Sequence, residues 1–309
     1  MDKMLHLSSS PHIHSGHSTT RIMLDVLIAL LPATIAGAII FGIRSLLVVS
    51  VCVSSCVLFE YLFNLITKKD QTIGDLSAVV TGLLLALNLP ANVPIWQCGI
   101  GCAFAIILVK CLFGGIGNNL VNPAITARIF MLVSFGSVAV PAMPTIVDVA
   151  SGATPLAEIS AGGSPKLLDL FLGTTGGAIG ETCALALLLG LVYLLVRRVI
   201  TWHIPVSFVG TVFILSFFME GFDPMKALAL VMSGGLLIGA IFMATDYVTS
   251  PSTWGGKLIF GLGAGLMTVL IRYFGNYPEG VSFAILFMNI LTPYIDKLTA
   301  RRIFGGTKA

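Results

Sequence analysis

Charge is scarce in this chain. Asp, Glu, Lys and Arg make up 10% of its 309 residues, against about 25% in an average soluble domain. So few charges cannot cover a water-facing surface, and no long polar stretch exists to form a separate soluble domain. Residues 1–20 lack the apolar core of a signal peptide; they are polar and are expected to form a cytoplasmic N-terminal arm. Four of the five histidines lie there (His6, His12, His14 and His17), but without the spacing of a standard zinc site, so no metal is assigned to them. The six cysteines, Cys52, Cys56, Cys98, Cys102, Cys111 and Cys183, have no polar surroundings. At such depth structural disulfides are not expected. Cys52/Cys56 and Cys98/Cys102 are each spaced to share one helix face. They read either as iron–sulfur ligands inside the membrane or, the favoured reading, as small residues at helix contacts.

What the chain does have is apolar sequence: 56% of residues are hydrophobic and the mean hydropathy is +0.99. Stretches of roughly 20 apolar residues, enough to cross a ~30 Å hydrocarbon core, recur along it. They predict about ten helical segments, at 22–43, 45–66, 75–89, 94–113, 118–136, 178–198, 203–219, 225–245, 256–274 and 279–298. The third is short and runs into the breaker Asn88-Leu89-Pro90. A second interruption is expected after the eighth, around Ala244-Thr245-Asp246-Tyr247 and Pro251. Interrupted segments at matching places in two halves point to a binding site near the membrane centre.

Lys and Arg favour the cytoplasmic side. With the N-terminus inside, only Arg44, Lys166, Lys226 and Arg272 of the 17 Lys and Arg residues fall outside. Both termini are then cytoplasmic and the long loop 137–177 is extracytoplasmic. Weak internal similarity pairs Val79-Val80-Thr81-Gly82-Leu83-Leu84 with Val231-Met232-Ser233-Gly234-Gly235-Leu236. It also pairs the stretch after Gly117-Asn118 with that after Gly275-Asn276. The expected architecture is an all-α integral membrane protein of two inverted five-helix repeats with broken helices, 21–136 and 178–309, related by a pseudo-twofold axis in the membrane plane.

The outside loop contains Asp148-Val149-Ala150-Ser151-Gly152-Ala153-Thr154-Pro155. Taken alone, Ser-Gly-Ala-Thr is a small-residue turn. Gly152 permits close backbone approach and Pro155 keeps Thr154 out of helical conformation, so the loop presents the Thr154 hydroxyl. The whole string resembles the pattern recognised by the bacterial flavin transferase, which joins FMN through a phosphoester to the final Thr. In that pattern Asp148, Ser151, Gly152 and Ala153 are recognition residues and Thr154 is the acceptor.

The chain as a whole, over nearly its full length, resembles a family of membrane subunits. It comprises the D subunit of the Rnf complex, an ion-pumping ferredoxin:NAD oxidoreductase, and the related B subunit of sodium-pumping NADH:quinone reductase. Ser9-Ser10-Pro11-His12, Gly117-Asn118-Asn119 with Asn122-Pro123-Ala124, and Phe242-Met243-Ala244-Thr245-Asp246 carry the resemblance beside the flavin motif. It implies an electron-transfer subunit, not a complete enzyme, with covalent FMN at Thr154. It also implies a non-covalent riboflavin near the cytoplasmic side, and partners among the A, B, C, E and G subunits. Ferredoxin and NAD are reached only indirectly, Na⁺ or H⁺ is the translocated ion, and no nucleic acid is involved. With the acceptor outside and the soluble substrates inside, electrons need a second carrier, since one step across ~30 Å is too long.

Polar residues inside spans are costly and usually functional. Asn118, Asn119 and Asn122 can donate to and accept from a flavin ring edge, and cap the fifth segment as well. Thr245 and Asp246 share their side of the membrane. Asp246 reads as a flavin contact, an ion ligand or a cap. Arg21 and Asp25 read as a helix-face ion pair, and Arg128 as the counter-charge of a carboxylate or a reduced flavin. No residue is assigned a catalytic role. The rival readings are a secondary transporter or channel, which also uses inverted repeats and buried carboxylates, and a structural subunit that only docks partners.

Overall fold

Ser18 starts the first helix. Its backbone is extended and its hydroxyl accepts from the Arg21 N–H, satisfying a donor that the helix leaves over. Helix α1 (Thr19–Phe41) ends at Gly42, whose φ of +72° turns the chain directly into α2 (Ile43–Thr67). The computed structural model describes residues 18–145, 154–275 and 280–300. Helices α3 (Ser77–Leu87), α4 (Ile95–Cys111), α5 (Pro123–Ser134), α6 (Pro155–Ser160) and α7 (Leu167–Leu172) follow. Then come α8 (Ala184–Val196), α9 (His203–Met219), α10 (Pro224–Met232), α11 (Leu236–Met243), α12 (Trp254–Phe274) and α13 (Val281–Thr299).

The protein is an all-helical, multi-pass membrane protein. Helices α1, α2, α12 and α13 are long and apolar enough to cross a membrane unaided, and α10 with α11 make a fifth crossing as a pair bent by 65°. Each predicted segment coincides with a helix or helix pair. However, α3, α5 and α8 have only 11, 12 and 13 residues, short of the ~20 a full crossing needs. Polar or proline-containing joints cut them: Asn88-Leu89-Pro90 ends α3 and Asn122-Pro123 begins α5.

The structure adds a break to those read from the sequence. The chain leaves helix from Ala244 to Thr253 as expected, and a second break lies at Ser233-Gly234-Gly235, inside the predicted segment 225–245. Gly234 takes a φ of +65°, which only glycine adopts cheaply. Breaks within a membrane need new partners for the released backbone groups. At the first break the Gly180 and Ile179 N–H groups donate to the Leu87 and Leu89 carbonyls, 2.7 and 3.0 Å away. At the second, Arg272 of α12 donates to the Leu230 and Ser233 carbonyls at 2.7 and 3.1 Å.

Small residues set the closest helix contacts, as membrane packing requires. A Cβ on Gly190 of α8 would lie 2.5 Å from the Ala29 carbonyl oxygen of α1, and one on Gly82 of α3 would lie 2.8 Å from that of Cys52 on α2. The cysteine pairs belong to this packing. Cys52 and Cys56 of α2 and Cys98 and Cys102 of α4 are fully buried, and the Cys102 thiol donates to the Cys52 carbonyl at 3.4 Å. All six are free thiols, and no group of His, Cys, Asp and Glu among the described residues could hold a metal. Gly190→Val is therefore expected to lower the unfolding temperature in detergent, by an overpacking cost of about 1–3 kcal/mol. Gly99→Val, where an added Cβ meets nothing within 4 Å, serves as the control and should change it little.

Asp25 supplies another correction. Its carboxylate accepts from Arg197 at the end of α8, at 3.2 Å through both Nε and Nη2, and from the Tyr193 hydroxyl at 3.0 Å. The pairing with Arg21 suggested by helical spacing is replaced by a longer-range tie between α1 and α8, whose close approach at Gly190 brings Arg197 within reach.

Candidate functional site

Two cavity systems lie toward opposite ends of the broken helices. The first is a cleft with a cavity volume of about 90 Å³, open on one side, where α1, α3 and α5 begin and α4, α8 and α11 end. Ile22, Val26, Val80, Leu84 and Leu194 supply apolar walls, and Asn119, Asn122, Thr245 and Asp246 line it as well. Four of the five residues expected around a second flavin are thus brought together. Asn118 is exposed and is not among the lining residues.

Each polar group there has a definable role. Asn122 caps α5: its Oδ1 accepts from the Ala124 and Ile125 N–H groups at 3.0 and 3.3 Å, while its amide donates to the Met243 carbonyl at 3.4 Å. Asn119 keeps its side-chain oxygen buried with no protein partner, a costly state that a ligand donor would relieve. Asp246 accepts from the Thr249 hydroxyl at 3.2 Å, and burial raises its carboxyl above the usual range. Lys110 also lines the cleft. Its ammonium donates to Glu60 at 2.8 Å and to Ser77 at 2.5 Å, and Glu60 also accepts from Thr72 at 2.6 Å. Lys110 sits where α4 widens into π-helical geometry over Phe104–Cys111, a distortion frequent at functional sites.

The second system lies at the other end and centres on Thr154. Thr154 is half-buried, its backbone is extended (φ −64°, ψ 154°), and its Oγ1 caps α6 by accepting from the Ala157 N–H at 3.3 Å. Pro155 occupies the first helical position, as the sequence requires. Accepting that bond leaves the hydroxyl's own O–H unused by the cap. Thr154 lines two adjoining cavities. One, of about 20 Å³, is shared with Glu181, Thr182, Ser233 and Gly234. The other, of about 30 Å³, is shared with Asn88, Pro90, Arg128 and Gly177. Asp148, Ser151, Gly152 and Ala153 lie outside the described residues.

Below Thr154, Arg128 pairs with Glu181 at 2.8 Å, both 4% exposed, and donates to Asn88 Oδ1 at 2.8 Å. The carboxylate partner anticipated for Arg128 is thus Glu181. Sequence reasoning missed Glu181, although a carboxylate so close to an apolar run was the available signal. Asn88 in turn donates to the Leu84 carbonyl at 2.7 Å and touches the Met243 sulfur at 3.6 Å. Met243 is the residue whose carbonyl accepts from Asn122, so one polar chain links the two cavity systems.

The fold and these sites define a class: a multi-pass helical membrane protein with discontinuous helices, whose breaks adjoin a buried ion pair and separate two clefts. Within that class, the chain belongs to the NQR2, RnfD, RnfE family, whose model matches residues 6–305. It is similar to the D subunit of the Na⁺-translocating ferredoxin:NAD⁺ oxidoreductase complex of Acetobacterium woodii, 47% identical over 310 residues, covering 98% of this chain and 96% of the relative. It is also similar to the D subunit of the proton-translocating ferredoxin:NAD⁺ oxidoreductase complex of Clostridium ljungdahlii, 42% identical over 320 residues, 97% and 96% of the two chains. A third relative, the D subunit of an ion-translocating oxidoreductase complex in Stutzerimonas stutzeri, is 38% identical over 327 residues, 93% and 92% of the two chains.

Proposed function

We propose that this chain is the D subunit of an ion-translocating ferredoxin:NAD⁺ oxidoreductase complex. It carries FMN esterified to Thr154 and a second, non-covalent flavin, riboflavin, in the Asn119–Asp246 cleft. The observation that carries this reading is the position of Thr154: a half-buried, helix-capping hydroxyl at the meeting of two cavities, in a chain of this family. The cleft suits a flavin through its apolar walls and the unpartnered Asn119 oxygen. Bound flavins supply one- and two-electron carrier chemistry, and the protein supplies position and electrostatics. Asn119 and Asn122 orient the ring edge, and the apolar walls from α1, α3 and α8 exclude water. Asp246 serves as a flavin contact or a ligand for the translocated Na⁺ or H⁺.

In this reading Thr154 faces the extracytoplasmic side and the cleft faces the cytoplasm, following the distribution of Lys and Arg. The loop 137–177 then separates two inverted five-helix halves, 21–136 and 178–309. The packing supports that division. Helix α2 lies against α4 as α9 lies against α12, and α1 meets α8 as α5 meets α13. A break also follows the third segment of one half and interrupts the third of the other. Other subunits of the complex are the partners that connect both flavins to ferredoxin and NAD.

The test is to denature the purified complex and separate this subunit from small molecules. One flavin should stay with the polypeptide and another should be released. Release of both, in cells with an active flavin transferase, contradicts the covalent assignment. Asn119→Leu should cut the released flavin severalfold and leave the retained one unchanged; equal losses of both would place Asn119 outside the cleft's chemistry.

A further inference from the structure

We infer that the buried Arg128–Glu181 pair is the electrostatic positioning element of the Thr154 site. Arg128 holds positive charge against negative charge acquired on the group that Thr154 carries, and Glu181 limits that attraction. The inference rests on the covalent-flavin reading and deepens it.

Three features of the molecule lead there. First, the pair has been given room at the junction of both broken helices. A Cβ on Gly235 would lie 2.7 Å from Glu181 Oε1 and 3.1 Å from Arg128 Nη1, and one on Gly180 would lie 2.7 Å from Leu87 Cβ. Side chains are absent from the backbone where the two charges meet. Second, both charges line cavities that Thr154 also lines, Glu181 one of them and Arg128 the other. Third, the neighbouring arginine is committed elsewhere: Arg272 binds the carbonyls of Leu230 and Ser233. Among the described residues, Arg128 is a cation that lines a cavity with Thr154.

A buried ion pair is a poor way to gain stability, because desolvation offsets most of the attraction. Its presence here, with each member lining a cavity that Thr154 lines, fits an electrostatic task. Charge in a dry, low-dielectric site acts strongly on its surroundings, and preorganised charge does so without reorganisation. Asn88 ties Arg128 to Met243 and so to the cap of α5, which fixes the guanidinium with respect to the cleft at the other end.

The experiment is a potentiometric titration of the covalent flavin, followed by absorbance in the purified complex, for wild type, Glu181→Gln and Arg128→Gln. Glu181→Gln leaves Arg128 unbalanced. At a fixed ambient potential the reduced fraction relative to oxidised should rise about tenfold, equal to 59 mV for one electron. Arg128→Gln should lower the same ratio. A pair that only braces the helices would not give shifts of opposite sign, so shifts of the same sign, or none in either variant, overturn the inference. If Arg128→Gln does not assemble, the near-isosteric Glu181→Gln carries the test alone, and an unchanged or lowered ratio overturns it. Fluorescence of the denatured subunit is read in parallel. A dark wild-type subunit refutes the underlying covalent-flavin reading, whereas a fluorescent subunit with unshifted potentials refutes only the role of the pair.

Discussion

Thr154→Val should abolish the flavin fluorescence that survives denaturation, while the complex still assembles. Valine has the shape of threonine without the hydroxyl, and its branched side chain suits the extended backbone at this position. Pro155 still begins α6, and Leu156 and Ile159 still pack against Leu170 and Leu230. The structural cost is one helix cap, about 1 kcal/mol, spread over a six-residue helix. The chemical loss is total, because no phosphoester forms without the oxygen. The non-covalent flavin should remain, since the Asn119–Asp246 cleft lies at the far end of the polar chain through Asn88 and Met243. A fluorescent Thr154→Val subunit would move the attachment point to another residue.

Lys110→Met should have the largest effect on stability. Lys110 and Glu60 are each 2% exposed and sit 2.8 Å apart. Removing one member of such a pair leaves the other charge buried without compensation, which costs about 3–5 kcal/mol. Replacing both by apolar residues of similar volume is often neutral. The double variant Lys110→Met/Glu60→Leu is therefore expected to recover most of the unfolding temperature that Lys110→Met loses. Thermal unfolding in detergent, run as a double-mutant cycle, measures the difference. Equal and additive losses from the two single variants would mean that the residues do not act as a pair.

Local features were legible in the sequence, and features that depend on distant residues were not. The helical segments followed from apolar length. The first break was written in Asn88-Leu89-Pro90, and the extended backbone of Thr154 in Pro155. The non-helical stretch after Met243 was legible in Asp246 and Pro251, but the bend at Ser233-Gly234-Gly235 was not, because it carries no proline and sits inside an apolar run, where glycine also serves ordinary helix packing. Asp25 was matched to Arg21 by spacing along one helix, but Arg197 reaches it from α8. Lys110 meets Glu60, and Arg128 meets Glu181, across helices whose approach no periodicity reveals. The four-cysteine arrangement shows the converse. Helical spacing put each pair on one face, yet the same spacing serves a metal centre and a close contact of α2 with α4, and it was the packing around the Cys52 carbonyl that identified the contact.

The central claim is that Thr154 carries a flavin. Mass spectrometry of peptides from the native complex, isolated from cells with a working flavin transferase, tests it most directly. The account predicts that the peptide spanning Asp148 to Pro155 bears the mass of FMN less water, with fragmentation assigning it to Thr154. Recovery of that peptide only in unmodified form, or of the added mass on a different residue, would contradict it.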